Sequence, residues 1–188
     1  GLVMSREYDD ELFSFEDEAL TAEAPHPTLT WQVLIVDDDL DVHQSTCFAM
    51  ANTEVLGRSL EFLHAYSAAD AMRILRAQPQ IAVILLDVVM ESDDAGLQLV
   101  RSIRQDLGNT EARIILRTGQ PGYAPELEAI RDYDINDYKT KSELSRNRLY
   151  TTLTAAIRSY EQIHTINSSR RGLGMVIRAS SQLLARQG

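Results

Sequence analysis

The stretch Ile81-Ala82-Val83-Ile84-Leu85-Leu86-Asp87 is an unbroken apolar run closed by a carboxylate. Pro79 stops the preceding helical pattern, so the run starts cleanly. A strand apolar on both faces belongs inside a parallel sheet covered by helices on each side. The acid at its end then falls on the C-terminal edge of that sheet, where ligands bind in open α/β folds. Three more punctuated strands bring polar groups to the same edge. Asp37 and Asp38 follow Val33-Leu34-Ile35-Val36, Thr118 follows Ile114-Ile115-Leu116-Arg117, and Lys141 follows the segment around Tyr138.

Outward from this run the chain alternates. Residues 32–36 predict a strand and 41–53 a helix with Val42, Phe48 and Ala49 facing inward. A second strand is expected over 59–64. Ser67 caps the next helix, which carries Ala68, Ala71, Met72, Leu75 and Ala77. After the strand 81–86, Gly96 opens a helix with Leu97, Leu99, Val100, Ile103 and Leu107, and Gly108 follows as its C′ residue. A strand at 112–117, a short helix at 124–133, a strand at 135–138 and a long helix from about Leu144 complete the order. This alternation predicts a doubly wound, five-stranded parallel sheet.

Residues 1–30 are acidic and weakly patterned and are expected to be a mobile leader; 31–148 form the sheet domain; 149–188 are a helical extension or the start of a following region. Leu149, Leu153, Ala156, Tyr160 and Ile163 recur with the spacing of about 3.5 residues typical of a coiled-coil seam. The seam predicts either a homodimer or a connection to a further domain. Gly172 and Gly174 are expected to interrupt it before Met175, Val176, Ile177, Leu183 and Leu184 resume.

With 44% hydrophobic and 24% charged residues, the composition is that of a soluble globular protein. A formal net charge of −10 argues against a nucleic-acid surface, which needs clustered Lys and Arg. No apolar run approaches the roughly 18–20 residues of a membrane span, and the N-terminus lacks a signal-peptide pattern. The single cysteine, Cys47, permits no internal disulfide and reads as a small core residue. These features together predict a cytoplasmic protein.

Asp37, Asp38 and Asp87 carry the chemistry. Like charges about 4 Å apart repel by about 4 kcal/mol at an effective dielectric near 20. Such a cluster calls for a cation, and oxygen ligands select a hard one: Mg²⁺, or Mn²⁺ as a substitute. Lys141 and Thr118 supply a point charge and a hydroxyl for phosphoryl oxygens. A carboxylate can serve as nucleophile and form an aspartyl-phosphate. Asp87 is placed for this, because its strand stands between the acidic pair and the Thr/Lys side.

Taken together, Val33-Leu34-Ile35-Val36-Asp37-Asp38-Asp39, Leu85-Leu86-Asp87-Val88-Val89-Met90, Thr118-Gly119 and Asp137-Tyr138-Lys139-Thr140-Lys141 resemble the receiver domain of bacterial two-component response regulators, over roughly 33–160. The resemblance implies a flavodoxin-like, receiver-type sheet. It implies Asp87 as phosphoacceptor, Asp37, Asp38 and the Val89 carbonyl as further metal ligands, Thr118 as switch hydroxyl, Lys141 as phosphate-pairing lysine and Tyr138 as rotating aromatic. It also implies a histidine kinase or phosphotransfer protein as donor. Ser142 stands where the family has a proline after the lysine, and Glu91 where proline is common after the phosphoacceptor.

More narrowly, Arg117-Thr118-Gly119-Gln120-Pro121-Gly122 and Tyr133-Asp134-Ile135-Asn136-Asp137-Tyr138-Lys139 are similar to a subgroup in which the receiver precedes an uncharacterised middle region and an HD-type cyclic-di-GMP phosphodiesterase or another signalling output domain. Val89 and Gln120 border the expected path of attacking water. Two other readings compete. Asp37-x-Asp39 with Thr118 and Lys141 imitates a haloacid-dehalogenase phosphatase, but no Asp follows Asp137 to complete its metal site. A pseudo-receiver acting only through protein contacts would not need the complete acid, hydroxyl and amine set.

Overall fold

Strand parity sorts the apolar residues of this chain into two cores. The computed structural model describes residues 29–119, 127–143 and 145–185. Strands β1 (Trp31–Val36), β3 (Arg58–Ala65), β4 (Val83–Asp87), β5 (Arg113–Thr118) and β6 (Asp137–Thr140) are parallel, and a short β2 (Glu54–Val55) pairs antiparallel with β3. The sheet order is β2-β3-β1-β4-β5-β6, so the winding reverses direction at β1. Helices α1 (Leu40–Ala49), α2 (Ala68–Ala77), α3 (Ala95–Arg101), α4 (Leu127–Asp132) and α5 (Arg146–Ala185) connect and follow the strands. Five parallel strands match the doubly wound expectation, and β2 adds a sixth, antiparallel edge.

Leu34, Val36, Ile84, Leu86, Ile114 and Leu116 pack on one face with Ala71 and Leu75 of α2 and Leu99 and Val100 of α3. Val33, Ile35, Val83, Leu85 and Ile115 pack on the other with Met50 after α1 and Leu149, Leu153, Ala156, Ile157 and Tyr160 of α5. Alternate residues of a strand point to opposite faces, so one apolar run feeds both cores. At about 25 cal/mol per Å² of apolar surface, each fully buried Leu or Ile contributes about 2 kcal/mol.

Side-chain caps fix the starts of α1 and α2. The Asp39 carboxylate accepts from Asp41 N at 2.9 Å, and Ser67 Oγ accepts from Asp70 N at 3.1 Å. Glu91 supplies a second contact to the start of α2, accepting from Ala68 N at 2.8 Å. The proline that this position lacks is replaced by a residue that ties the β4–α3 loop to α2. Helix α3 continues as a π-helical turn over Ser102–Asp106 and ends with Gly108 at φ +64°.

Several expectations need correction. Helix α1 ends at Ala49 rather than 53, because Asn52 takes φ +57° and β2 begins at Glu54. Its inward residues are His43, Thr46 and Met50, whereas Phe48 is 86% exposed. Ala49 packs against the core as expected and Val42 is half-buried, so only Phe48 is misassigned; the fully buried His43 and Thr46 are missed because an apolar search skips a histidine and a threonine. Strand β6 lies two residues later than expected. Helix α5 runs through Gly172 and Gly174 without a break. Leu149, Leu153, Ala156 and Tyr160 of the seam are buried against the chain's own sheet, whereas Ile163 is half-buried. The leader to residue 28, the motif Gln120-Pro121-Gly122 and the side chains of Met175 to Leu184 lie outside what is described.

Helix α5 is tied down between His164 and Arg171 by a polar clamp. Glu111, before β5, accepts from His164 Nδ1 at 2.7 Å and from Asn167 Nδ2 at 3.1 Å, with Arg171 Nη1 at 3.7 Å. A second network holds the approach to β6. The buried Arg104 guanidinium donates to the carbonyls of Tyr133 (3.0 Å), Asn109 (3.0 Å) and Asp134 (2.8 Å). Burial pushes its pKa down to about 10, which still leaves it charged at neutral pH. Asn136 accepts from Ile114 N at 2.7 Å. The Tyr133–Asn136 motif is thus a built turn that sets where β6, and so Lys141, begins.

Candidate functional site

Asp37 follows β1 directly, Asp87 ends β4, Thr118 ends β5, and Lys141 is the first residue after β6. These strands are neighbours in the order β1-β4-β5-β6, so all four groups meet at one edge, next to the point where the winding reverses. Asp87 occupies one of the two inner strands of the four, between the acidic pair on β1 and the Thr118 and Lys141 side.

Backbone contacts set the acidic pair. Asp37 N donates to Ala65 O at 3.1 Å, which ties the loop after β1 to β3. Asp37 Oδ1 accepts from Asp39 N at 2.9 Å, and its carbonyl accepts from His43 Nε2 at 2.7 Å. His43 Nδ1 in turn lies 2.8 Å from His64 Nδ1 on β3. Asp37 is 0% exposed and Asp87 4%, whereas Asp38 is exposed. The three residues bring carboxylate oxygens within 4.8 Å of one another.

Lys141 spans the two buried acids. Its Nζ is 3.0 Å from Asp37 Oδ2 and 3.2 Å from Asp87 Oδ2. Asp37 Oδ2 has no well-aligned hydrogen bond, so its contact with the ammonium is an ion pair by proximity. Val89 N donates to the other Asp87 oxygen at 3.3 Å. Burial, reinforced by Asp37, raises the Asp87 pKa, and Lys141 only partly offsets this. Burial alone would lower the Lys141 ammonium, but Asp37 and Asp87 together hold it above the ordinary lysine range. The site therefore carries strained negative charge with one cation already engaged.

Thr118 is buried at the end of β5, in register with Thr140 of β6. Tyr138 is half-buried and packs against the core on the α2–α3 face. Among the described residues, a side chain at Gly119 would come no nearer than 4.0 Å, to Lys141 Cδ. The Lys141–Ser142 peptide is trans. Gln120 lies outside the described residues.

Three contributors escaped the sequence reading. Gly96, in the first turn of α3, lies against the back of Asp87: an added Cβ would fall 2.3 Å from Asp87 O and 2.7 Å from Val88 Cα. The His43–His64 pair supports the Asp37 carbonyl. Arg117, at the end of an apolar strand, is buried and in register with Asp87. Only the last left a signal, a charge inside an otherwise apolar run.

The arrangement fits a divalent cation on chemical grounds. Three carboxylates converge, one of them exposed, with no nitrogen or sulfur donor in the cluster, as a hard ion requires. Asp39, the second acid of the phosphatase-like pattern, is spent on capping α1. That leaves the dehalogenase-type reading without its second carboxylate and Asp87 without a role.

The fold is that of response regulator receiver domains. Among solved structures, the chain is similar to a response regulator receiver domain protein of Clostridium thermocellum, with a TM-score of 0.58 and 20% identity over 71% of this chain and 98% of that one. It is also similar to the signal receiver domain of an HD domain-containing protein of Pseudomonas fluorescens, with a TM-score of 0.55 and 22% identity over 71% of this chain and 99% of that one.

Sequence comparison adds a particular relative. The chain is 42% identical over 158 residues to the 3'3'-cGAMP-specific phosphodiesterase 2 of Vibrio cholerae, covering 84% of this chain and 30% of that protein. The chain thus spans under a third of that relative's length. Residues 153–188 match a family described as a domain of unknown function, DUF3369. Among the described residues, no helix is long and apolar enough to cross a membrane.

Proposed function

We propose that this chain is the phosphoacceptor receiver of a two-component response regulator, with Asp87 as the acceptor. The observation that carries the proposal is the placement of Asp87: buried at the central strand end, flanked by two acids and engaged by Lys141. A histidine kinase or phosphotransfer protein would be the donor. Asp87 Oδ attacks the phosphorus of a phosphohistidine, the O–P bond forms, the N–P bond breaks, and the imidazole leaves with the electron pair.

Asp37, Asp38, Asp87 and the Val89 carbonyl would hold Mg²⁺, with Mn²⁺ able to replace it. Bound there, such an ion would supply positive charge to offset that of the acids and of a phosphoryl oxygen. The chain's own groups do the rest. Lys141 shifts its contact from the carboxylates to a phosphoryl oxygen, which its exposure of about a quarter permits. Thr118 donates to a second oxygen, Tyr138 turns toward the core, and the 124–160 surface repacks. Contacts made only in the modified state bias this two-state change.

The output follows the chain. Helix α5 leaves the switch surface and carries the segment that matches DUF3369. The receiver body is assigned to 31–148, with 149–188 leading to an output domain; packing of Leu149–Tyr160 on the sheet gives that connection mechanical purchase. The Vibrio cholerae relative supports cyclic-dinucleotide turnover as the output. Such a protein would work in the cytoplasm, where its kinase and nucleotides are.

Intact mass after treatment with a small phosphodonor and Mg²⁺ tests the proposal. Wild type should gain one phosphoryl group, and Asp87→Ala or added chelator should abolish it. A gain that persists in Asp87→Ala, or no gain from either the small donor or a phosphorylated kinase domain, would overturn it and favour a module acting through protein contacts alone.

A further inference from the structure

Arg117 takes no part in the chemistry set out above, yet it stands at its centre. It pairs in register with Asp87 across β4 and β5, and its carbonyl accepts from Val88 N at 3.1 Å. Strand alternation puts it on the same face as Ile115, the face of Leu85 and Asp87. Its side chain is 4% exposed. Placing a guanidinium there carries a large desolvation cost unless opposite charge offsets it.

Its hydrogen bonds do not supply that offset. Nη1 donates to Thr46 Oγ1 at 2.9 Å, and that hydroxyl spends its own proton on Val42 O at 2.7 Å. Among the described residues, Nε and Nη2 are buried without a hydrogen-bond partner. The charges that act on Arg117 are those of Asp37 and Asp87, and both favour the protonated guanidinium against its burial. A buried cation with idle donors, in register beside Asp87 and acted on by the charges of the two buried acids, has an electrostatic purpose rather than a hydrogen-bonding one.

We propose that Arg117 is a resident counter-cation of the acid cluster: a fixed positive charge that offsets part of the Asp37 and Asp87 charge and thereby weakens the affinity of the site for a divalent ion. It is a positioning residue that acts through the two carboxylates. This inference rests on the metal-binding reading of the site. Lys141 is a second cation at the cluster, but it is partly exposed and free to leave for a phosphoryl oxygen. Arg117 is held in the sheet and stays.

A Mn²⁺ titration of wild type, Arg117→Gln and Arg117→Lys tests this, with the electron paramagnetic resonance signal of the free ion as readout. Wild type should bind one ion. Removal of a unit charge beside two acids should tighten binding by about tenfold in Arg117→Gln, given charge–charge energies at close range in a medium of intermediate dielectric. Arg117→Lys, which keeps the charge, should stay within about threefold of wild type. Melting curves with and without Mg²⁺ guard against a folding defect. If Arg117→Gln is unfolded without metal, Mg²⁺ should restore its fold more than it stabilises wild type, since the ion replaces the lost charge. A folded Arg117→Gln with equal or weaker binding, or an unfolded one that Mg²⁺ does not restore, would overturn the inference and leave Arg117 a packing element. No binding by wild type would instead remove the metal reading itself.

Discussion

Gly96→Ala sets two physical effects against each other, and the structure decides the sign. Glycine inside a helix costs about 0.5–1 kcal/mol relative to alanine, so propensity alone makes this change stabilising. Contacts say the opposite. The new methyl would fall 2.3 Å from Asp87 O, 2.7 Å from Val88 Cα and 2.9 Å from Val88 O. All three are backbone atoms of β4 and the residue after it, so no side chain can swing aside. Helix α3 must retreat from the strand end by about 1 Å to reach ordinary contact distances, and Gly96 N would lose its 3.0 Å hydrogen bond to Val88 O.

Overpacking of this kind costs about 1–3 kcal/mol, and the lost bond to a buried carbonyl about 1 kcal/mol more. The net after the propensity gain is a loss of about 1–3.5 kcal/mol. For a domain of this size each kcal/mol moves the melting temperature by about 2–4 °C, so a fall of about 2–14 °C is expected. Because the displaced atoms belong to Asp87 and its neighbour, phosphoryl acceptance should slow as well. Thermal melts followed by circular dichroism and phosphorylation time courses by intact mass report the two effects. A Gly96→Ala protein that melts at or above wild type and accepts phosphoryl at the same rate would refute the close-approach account.

Leu56 takes φ +47° in the two-residue turn between β2 and β3, where Gly57 has φ +76°; Leu56→Gly should therefore raise the melting temperature by a few degrees, about 1 kcal/mol, in a scan at neutral pH. Burial and Asp37 raise the Asp87 pKa, so its ionised form costs stability above that value. Asp87→Asn should be the more stable protein at pH 7, with the advantage shrinking as pH falls through the folded-state pKa of Asp87; melts across pH 4–8 that show no such convergence would contradict the sign. For Glu111, burial alone would raise the pKa, but His164, Asn167 and Arg171 hold it below the usual 4.5. The clamp on α5 should contribute stability above that pH and lose it as pH falls further. Glu111→Gln should reproduce the loosening at neutral pH as faster amide exchange over 161–171 by several-fold, while 149–157 stay protected.

Much of this protein was determined by local sequence. Apolar runs closed by Asp37, Asp87 and Thr118, with Lys141 after Tyr138, define the strands and the edge they share, because a buried strand must be apolar on both faces and its polar residues collect where it ends. Asp39, Ser67 and Gly108 punctuate the helices through their own backbone chemistry, which needs no tertiary context. Packing alone decided what lies beneath. The face of α1 rests on His43 and Thr46, which become interior residues only because Asp37 and Arg117 offer them partners. The seam of α5 was spent on the chain's own sheet, since a 3.5-residue stripe serves a sheet or a second helix equally well. The close approach at Gly96 and the buried charge of Arg117 exist only once β4, β5, α1 and α3 are assembled. Local patterns report which residues avoid water, while the partners of a buried charge, or of a missing side chain, are set by residues far away in the chain.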